Sequence, residues 1–204
     1  IYKEQSYNYI KAAADQGNPE AMNNYGQMLL TGNGVSINKT EAIKYFKRAS
    51  ERGSIKAMTN YGLMLYSGNG IQSNKEKASL YFKKAADLGD VDAMINYATM
   101  SLYGKGIRKD QLEGIRYFKM AADHGNSDAM SQYATFLFKG DGVMENKKLA
   151  GKYYKMAAEK GDVEAMNIYL SIRCKDKKEN VNTIFQYYKQ LADKVSDSNA
   201  AKKY

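Results

Sequence analysis

The 204-residue sequence predicts an all-α protein, an α-solenoid assembled from repeated pairs of helices. Three observations predict it. The dipeptide Ala-Met recurs at Ala21, Ala57, Ala93, Ala129 and Ala165, each 36 residues after the last. Glycine keeps the same period at Gly17, Gly53, Gly89, Gly125 and Gly161. Within each period two stretches of helical apolar spacing are separated by a tight Gly-x-Gly turn, and nothing reads as strand. Such an array has no single central core: each unit buries its apolar face on its neighbours.

Residues 1–17 align with the second half of a unit, since Tyr9, Lys11 and Ala13 match Tyr45, Lys47 and Ala49. They are expected to form the second helix of a preceding unit. Full units follow at 18–53, 54–89, 90–125 and 126–161, making one array of the whole chain. In each, the first helix opens at Asn18, Ser54, Asp90, Asn126 or Asp162, whose side chains suit an N-cap. Pro19 stands at the one helical position where a missing N–H is harmless. Ala21, Met22, Tyr25, Gly26 and Leu29 share one face at helical spacing. Gly26 and Gly62, with Ala98 and Ala134 in register, suit close helix–helix approach. The helix ends at Gly32-x-Gly34, repeated at Gly68/Gly70, Gly104/Gly106 and Gly140/Gly142.

The second helix starts from Asn38, Asn74, Asp110 or Asn146, with Glu41 and Glu113 at capping-box spacing. Ala42, Tyr45, Phe46 and Ala49 form its apolar stripe, and the recurring glycine ends it. Each period therefore holds two helices of about 13 residues. The unit at 162–195 is irregular. Cys174-Lys175-Asp176-Lys177-Lys178 replaces its Gly-x-Gly turn, and Tyr187-Tyr188 arrives two residues early. Residues 196–204 resemble the start of a further unit. Both ends fall inside repeats, so a fragment of a longer protein is expected.

The net charge of +9 invites a nucleic-acid or anionic-membrane reading, but the excess is spread thinly along the repeats. Nucleic acid is not an expected partner. A single cysteine, Cys174, excludes an intramolecular disulfide framework and favours a reducing compartment, so a cytoplasmic setting is expected. No apolar run approaches the roughly 20 residues of a membrane span.

Taken together, Ala21, Tyr25-Gly26, Gly32-x-Gly34-Val35, Ala42, Tyr45-Phe46, Lys47-x-Ala49 and Gly53 resemble the Sel-one-like repeat, a short relative of the tetratricopeptide repeat. The agreement of spacing and residue type extends over essentially the whole chain. The resemblance implies a right-handed superhelix of antiparallel helix pairs that serves as an adaptor or scaffold. Members of the family sit beside kinase domains, in ubiquitin-ligase complexes of the endoplasmic reticulum, or among secreted bacterial proteins with paired cysteines, which this chain lacks. A regulatory segment of a larger enzyme such as a protein kinase, or an adaptor of ubiquitin-ligase-linked degradation, is the alternative function.

No catalytic constellation emerges from the residues, and neither a cofactor nor a metal is expected. His124 is the only histidine and falls in the last turn of a helix, where Gln16, Arg52, Leu88 and Lys160 stand in other repeats. Cys174 has no second thiol. The Gly-x-Gly turns lack the preceding strand of a phosphate loop. Asn38-Lys39-Thr40 fits a glycosylation sequon but stands alone. Met22, Met58, Met94, Met130 and Met166 share the core stripe, while Met28, Met64, Met100 and Phe136 form a second column that borders a groove or packs. Lys11, Lys47, Lys83, Lys119, Lys155 and Lys189 form a ladder that either follows an anionic polymer or is a solvated face.

The resemblance places the first helices on the concave side. Their polar stripe holds Asn24, Asn60, Asn96 and Gln132 in one column and Gln27, Leu63, Thr99 and Thr135 in the next. Amides both donate and accept, so the first column suits the backbone of an extended peptide. The competing reading is that asparagine is simply abundant here. The expected function is a non-catalytic scaffold or adaptor that binds a protein or peptide on these columns, its oligomeric state left open.

Overall fold

The computed structural model describes residues 2–175, with Gln186 and Lys189. Among the described residues there are ten helices and no strand. They are α1 (Tyr2–Asp15), α2 (Pro19–Thr31), α3 (Lys39–Glu51), α4 (Ile55–Ser67), α5 (Lys75–Asp87), α6 (Val91–Tyr103), α7 (Gln111–Asp123), α8 (Ser127–Lys139), α9 (Lys147–Glu159) and α10 (Val163–Lys175). Cys174 and Lys175 belong to the last turn of α10 rather than to a connecting turn. The rest of the expected altered turn, Asp176-Lys177-Lys178, lies outside the described residues, as do Tyr187-Tyr188 and the segment 196–204.

The chain forms two compact units, Ile1–Asp110 and Gln111–Tyr204. In the first, α1 to α6 pack each on the next, and α2 also touches α4. In the second, α7 to α10 do the same.

Local chemistry sets the helix boundaries. The side chains of Asn18, Asp90, Asn126 and Asp162 accept from the backbone N–H three residues on at 2.9 Å, and Ser54 does so at 3.4 Å. Asn38, Asn74 and Asn146 do the same for the second helices at 3.0, 2.8 and 2.9 Å. Each such cap contributes about 0.5–2 kcal/mol. The Asn38 side chain also donates to Glu41 at 3.3 Å, but the reciprocal bond of a capping box is not made, because the Asn38 backbone N–H is used elsewhere. After the first helix, the N–H of Asn38, Asn74 and Asn146 reaches back to the carbonyls of Leu29, Leu65 and Leu137 at 2.8–2.9 Å. One hydrogen bond thus fixes the length of each Gly-x-Gly turn.

The second glycine of that turn sits against the preceding second helix. Gly70 has φ +79°, and a Cβ there would fall 2.8 Å from the Cβ of Lys39 and 3.2 Å from Ile43 Cδ1. At Gly142 a Cβ would lie 2.8 Å from both Gln111 and Ile115. Any side chain would therefore be excluded by contact as well as by the positive φ.

Packing within a unit turns on small residues facing aromatics. A Cβ on Gly26 would come within 2.9 Å of the Phe46 ring, and one on Gly62 within 2.8 Å of Phe82. The expected close approach of helices is thus present at both. Met22 and Phe46 are wholly buried, each worth about 1.5–3 kcal/mol relative to exposure. Met94, Met130 and Met166 are buried with them, whereas Met58 is half-buried. In the second methionine column Met64 and Met100 pack in the core, and Met28 and Phe136 are half-buried. Edge-to-face tyrosine pairs recur at Tyr25–Tyr45, Tyr61–Tyr81 and Tyr133–Tyr153, with ring centroids 4.7, 4.8 and 4.9 Å apart. Such pairs add about 0.5–1.5 kcal/mol beyond their buried area.

Successive second helices are tied by a second polar device. The Tyr45 hydroxyl donates to Asp15 at 2.7 Å and the Tyr153 hydroxyl to Asp123 at 2.8 Å. The same carboxylates pair with Lys11 at 2.7 Å and Lys119 at 2.6 Å. Lys47 and Lys155 face Glu51 and Glu159 at 3.7 Å, and Lys83 lies over the Tyr97 ring. The lysine ladder is therefore compensated along its own helices, chiefly by an acid four residues on. That arrangement does not make a continuous anion track.

Candidate partner-binding surface on the first helices

The first helices carry the candidate columns, and the structure divides their members into two kinds. In the first unit, Asn24 and Gln27 on α2 are exposed, as is Leu63 on α4, which is 41% exposed. In the second unit Gln132 on α8 is exposed. Asn60, Asn96, Thr99 and Thr135 are half-buried.

The half-buried members are already engaged. Asn60 Nδ2 donates to Asn23 Oδ1 at 2.8 Å, which joins α4 to α2. Asn96 Nδ2 donates to the Asp92 carbonyl of its own helix at 2.8 Å. The Thr99 hydroxyl bonds the Ile95 carbonyl, and the Thr135 hydroxyl the Ser131 carbonyl, at 2.8 and 2.9 Å. Thr135 also shares a 2.9 Å hydrogen bond with the Tyr154 hydroxyl. The amide column is thus not uniform: Asn24 and Gln132 project, while Asn60 and Asn96 spend donors on the array itself.

Asn23 is a functional neighbour that the apolar-stripe reading passes over. It is only 8% exposed, and a buried amide without a partner is costly. The sequence signal is its register, where Asn23, Thr59 and Ser131 are polar and only Ile95 is apolar, in a column beside the core methionines. Thr59 is likewise buried, and Ser131 hydrogen-bonds Asp162. Lys56 on α4 reaches Asp90 at 3.0 Å, although Asp90 is nearly fully buried and also caps α6. That carboxylate raises the Lys56 pKa, mainly through the hydrogen bond.

The tyrosine–aspartate ties are electrostatically one-sided. Burial pushes the Tyr45 hydroxyl up to about 12, helped by its bond to Asp15. Hydrogen bonds from Lys11 and Tyr45 hold the Asp15 carboxyl below its ordinary range. At Asp123 burial pushes upward, but the hydrogen bonds from Lys119 and Tyr153 outweigh it. Both aspartates are accordingly anionic anchors of packing.

His124 is exposed, with Nδ1 2.9 Å from the Met120 carbonyl, and Cys174 is an exposed thiol. Among the described residues no group of three or more His, Cys, Asp and Glu is arranged to hold a metal ion. Among the same residues no helix is long and apolar enough to cross a membrane.

Tandem helix pairs that pack on their neighbours, with recurring small, aromatic and methionine positions at the contacts, define a helical-repeat protein. The model of the Sel1 repeat matches residues 3–18, 19–54, 55–90, 91–126 and 127–162, and the chain belongs to that family. Its fold is that of the Sel1-like solenoid. No curated protein matches the sequence. Among solved structures, a Sel1 repeat protein from Oxalobacter formigenes is 30% identical, with a TM-score of 0.82 over 93% of this chain and 79% of that one. A protective antigen of uropathogenic Escherichia coli with an SLR fold is 23% identical, with a TM-score of 0.80 over 94% of this chain. The match spans only 42% of that antigen. Cysteine-rich protein B of Helicobacter pylori is 23% identical, with a TM-score of 0.50 over 60% of this chain and 93% of its own. The last two likenesses concern the fold alone. Sel1 repeat proteins are generally protein-interaction scaffolds.

Proposed function

We propose that the chain is a non-catalytic scaffold or adaptor that holds a partner protein or peptide on the projecting side of its first helices. The observation that carries this is the patch Asn24, Gln27 and Leu63. Its exposed amides and its exposed leucine stand on two helices that touch one another, α2 and α4. The Asn60–Asn23 hydrogen bond holds these helices together. A preorganised patch of this kind binds without first having to order a loop. Gln132 projects from α8 in the second unit, where Thr135 supports the helix rather than meeting a partner. Asn96 and Thr99 are the corresponding residues of α6, with Oδ1 of Asn96 as the acceptor left to it. The compensated lysine ladder favours a protein over an anionic polymer as the partner. The exposed, single thiol Cys174 suits a reducing, cytoplasmic setting.

The test is partner capture by the array carrying Asn24→Ala, Gln27→Ala and Leu63→Ala together. All three side chains are exposed, so helicity and melting should be unchanged while capture falls. Loss of one well-packed contact residue typically costs 1–2 kcal/mol of binding, so a drop of tenfold or more is expected. Undiminished capture would sink the assignment of the surface.

A further inference from the structure

We propose that the first unit carries a docking groove for a basic peptide segment with one apolar side chain. The groove is formed by the N-terminal ends of α4 and α6 and the turns that precede them, with Glu20 of α2. This rests on the reading of the chain as a protein scaffold and adds a site apart from the columns above. The groove has a volume of about 490 Å³ and is lined by Gly53, Leu88 and Val91 together with four charged side chains.

The array itself shows what fits over its recurring glycines. The Arg52 guanidinium lies against Gly17, its Cζ and Nη2 3.6 Å from where a Cβ on that glycine would stand. Lys160 does the same at Gly125, with Nζ at 3.6 Å. Each of these glycines follows the end of a second helix, where the free carbonyls favour a cation. In both cases the cation comes from the residue just before the next recurring glycine. For Gly53 that residue is Leu88. A Cβ at Gly53 would meet nothing within 4 Å, and Leu88 is 56% exposed. The place that a cationic side chain covers in two other repeats is left uncovered in this one.

The charge around the groove has the matching sign. Glu20, Asp90 and Asp92 line it against one ammonium, Lys56, in a chain whose net charge is +9. Lys56 is committed to the buried Asp90 at 3.0 Å. Among the described residues Glu20 and Asp92 form no ion pair of this kind, and both are exposed. Their place in the first turns of α2 and α6 suits the helix dipole and leaves their oxygens to accept from outside. A partner's arginine over Gly53 takes the part that Arg52 plays over Gly17, and an apolar neighbour covers Leu88 and Val91. A nucleic-acid strand or an acidic segment meets three carboxylates here and is repelled.

The experiment measures anisotropy of a labelled peptide with two arginines flanking one leucine, titrated with the full chain. Control peptides replace the arginines by Gln, or the leucine by Gly. The expected result is binding of the basic peptide, with each control several-fold weaker. Leu88→Arg supplies from within the cation that Arg52 supplies at Gly17, and should weaken binding about tenfold. Glu20→Lys/Asp92→Lys should weaken it about tenfold or more. Both positions are exposed, and the equivalent residue of the intervening repeat is already a lysine, Lys56. Unchanged affinity in the charge-reversal variant overturns the proposal, even if Leu88→Arg fails to fold. Absence of binding overturns it too, as does equal affinity for the Gln control. The Asn24→Ala/Gln27→Ala/Leu63→Ala array should bind this peptide like the wild type, and a loss there would place the peptide on the columns and overturn the groove. The two sites thereby succeed or fail separately.

Discussion

Replacing Gly62 by alanine sets two effects of opposite sign against each other. Alanine is the better helix former by about 0.8–1 kcal/mol, so an unconstrained site would gain stability. The new Cβ, however, would lie 2.8 Å from Phe82 Cε1, 3.0 Å from Cδ1 and 3.3 Å from Cζ. Phe82 is 1% exposed, so its ring has no room to retreat. Overpacking of this kind costs about 1–3 kcal/mol, and the net expectation is a loss of about 1 kcal/mol. Urea unfolding followed by far-UV circular dichroism measures it. A Gly62→Ala/Phe82→Leu double variant isolates the contact, and its loss should be about 1 kcal/mol smaller than the sum of the single losses. The repeat at 126–161 provides the contrast, since Ala134 occupies the same register opposite Tyr154. There Ala134→Gly should destabilise, because propensity is lost and no contact is relieved. Should Gly62→Ala prove as stable as the wild type, with additive doubles, the close-approach argument is refuted.

Three other expectations follow from the same structure. Ser101 is 1% exposed and its hydroxyl has no hydrogen-bond partner, at a register that holds Leu29, Leu65 and Leu137 elsewhere. Ser101→Ala should raise stability by about 1 kcal/mol, and a lowered urea midpoint would contradict this. Asn60→Ala should destabilise by about 1–3 kcal/mol, because it leaves the buried Asn23 amide without its partner. A neutral result in thermal melting would show that water replaces the bond. The depressed Asp15 carboxyl stabilises the fold above its unfolded pKa, and that contribution fades as pH falls through the lower folded value. Asp15→Asn should therefore flatten the melting-temperature profile on the acid side, and an unaltered slope between neutral and strongly acid pH would count against the Tyr45–Asp15–Lys11 tie.

The legible part of the site was its geometry along the chain. Placing Asn24, Asn60, Asn96 and Gln132 in one column needed only the 36-residue period, and the helices run in that register. Which amides are available was not legible, because the partner of Asn60 lies 37 residues away on α2 and is chosen by helix packing. The Lys11–Asp15 and Lys119–Asp123 pairs were readable in principle as i,i+4 spacings. Their second function, receiving Tyr45 and Tyr153 from the next second helix, was not.

By itself the sequence determined the helix-pair architecture, the caps from Asn18 to Asp162 and the Gly-x-Gly turns. All of these are local: a side chain meets a backbone group three residues on, or a glycine supplies a positive φ. Tertiary structure alone decided that Asn60 and Thr135 serve packing while Asn24, Gln27 and Leu63 face outward. Those outcomes depend on what a neighbouring helix presents at a few ångströms, and a repeat period fixes only which helix that is.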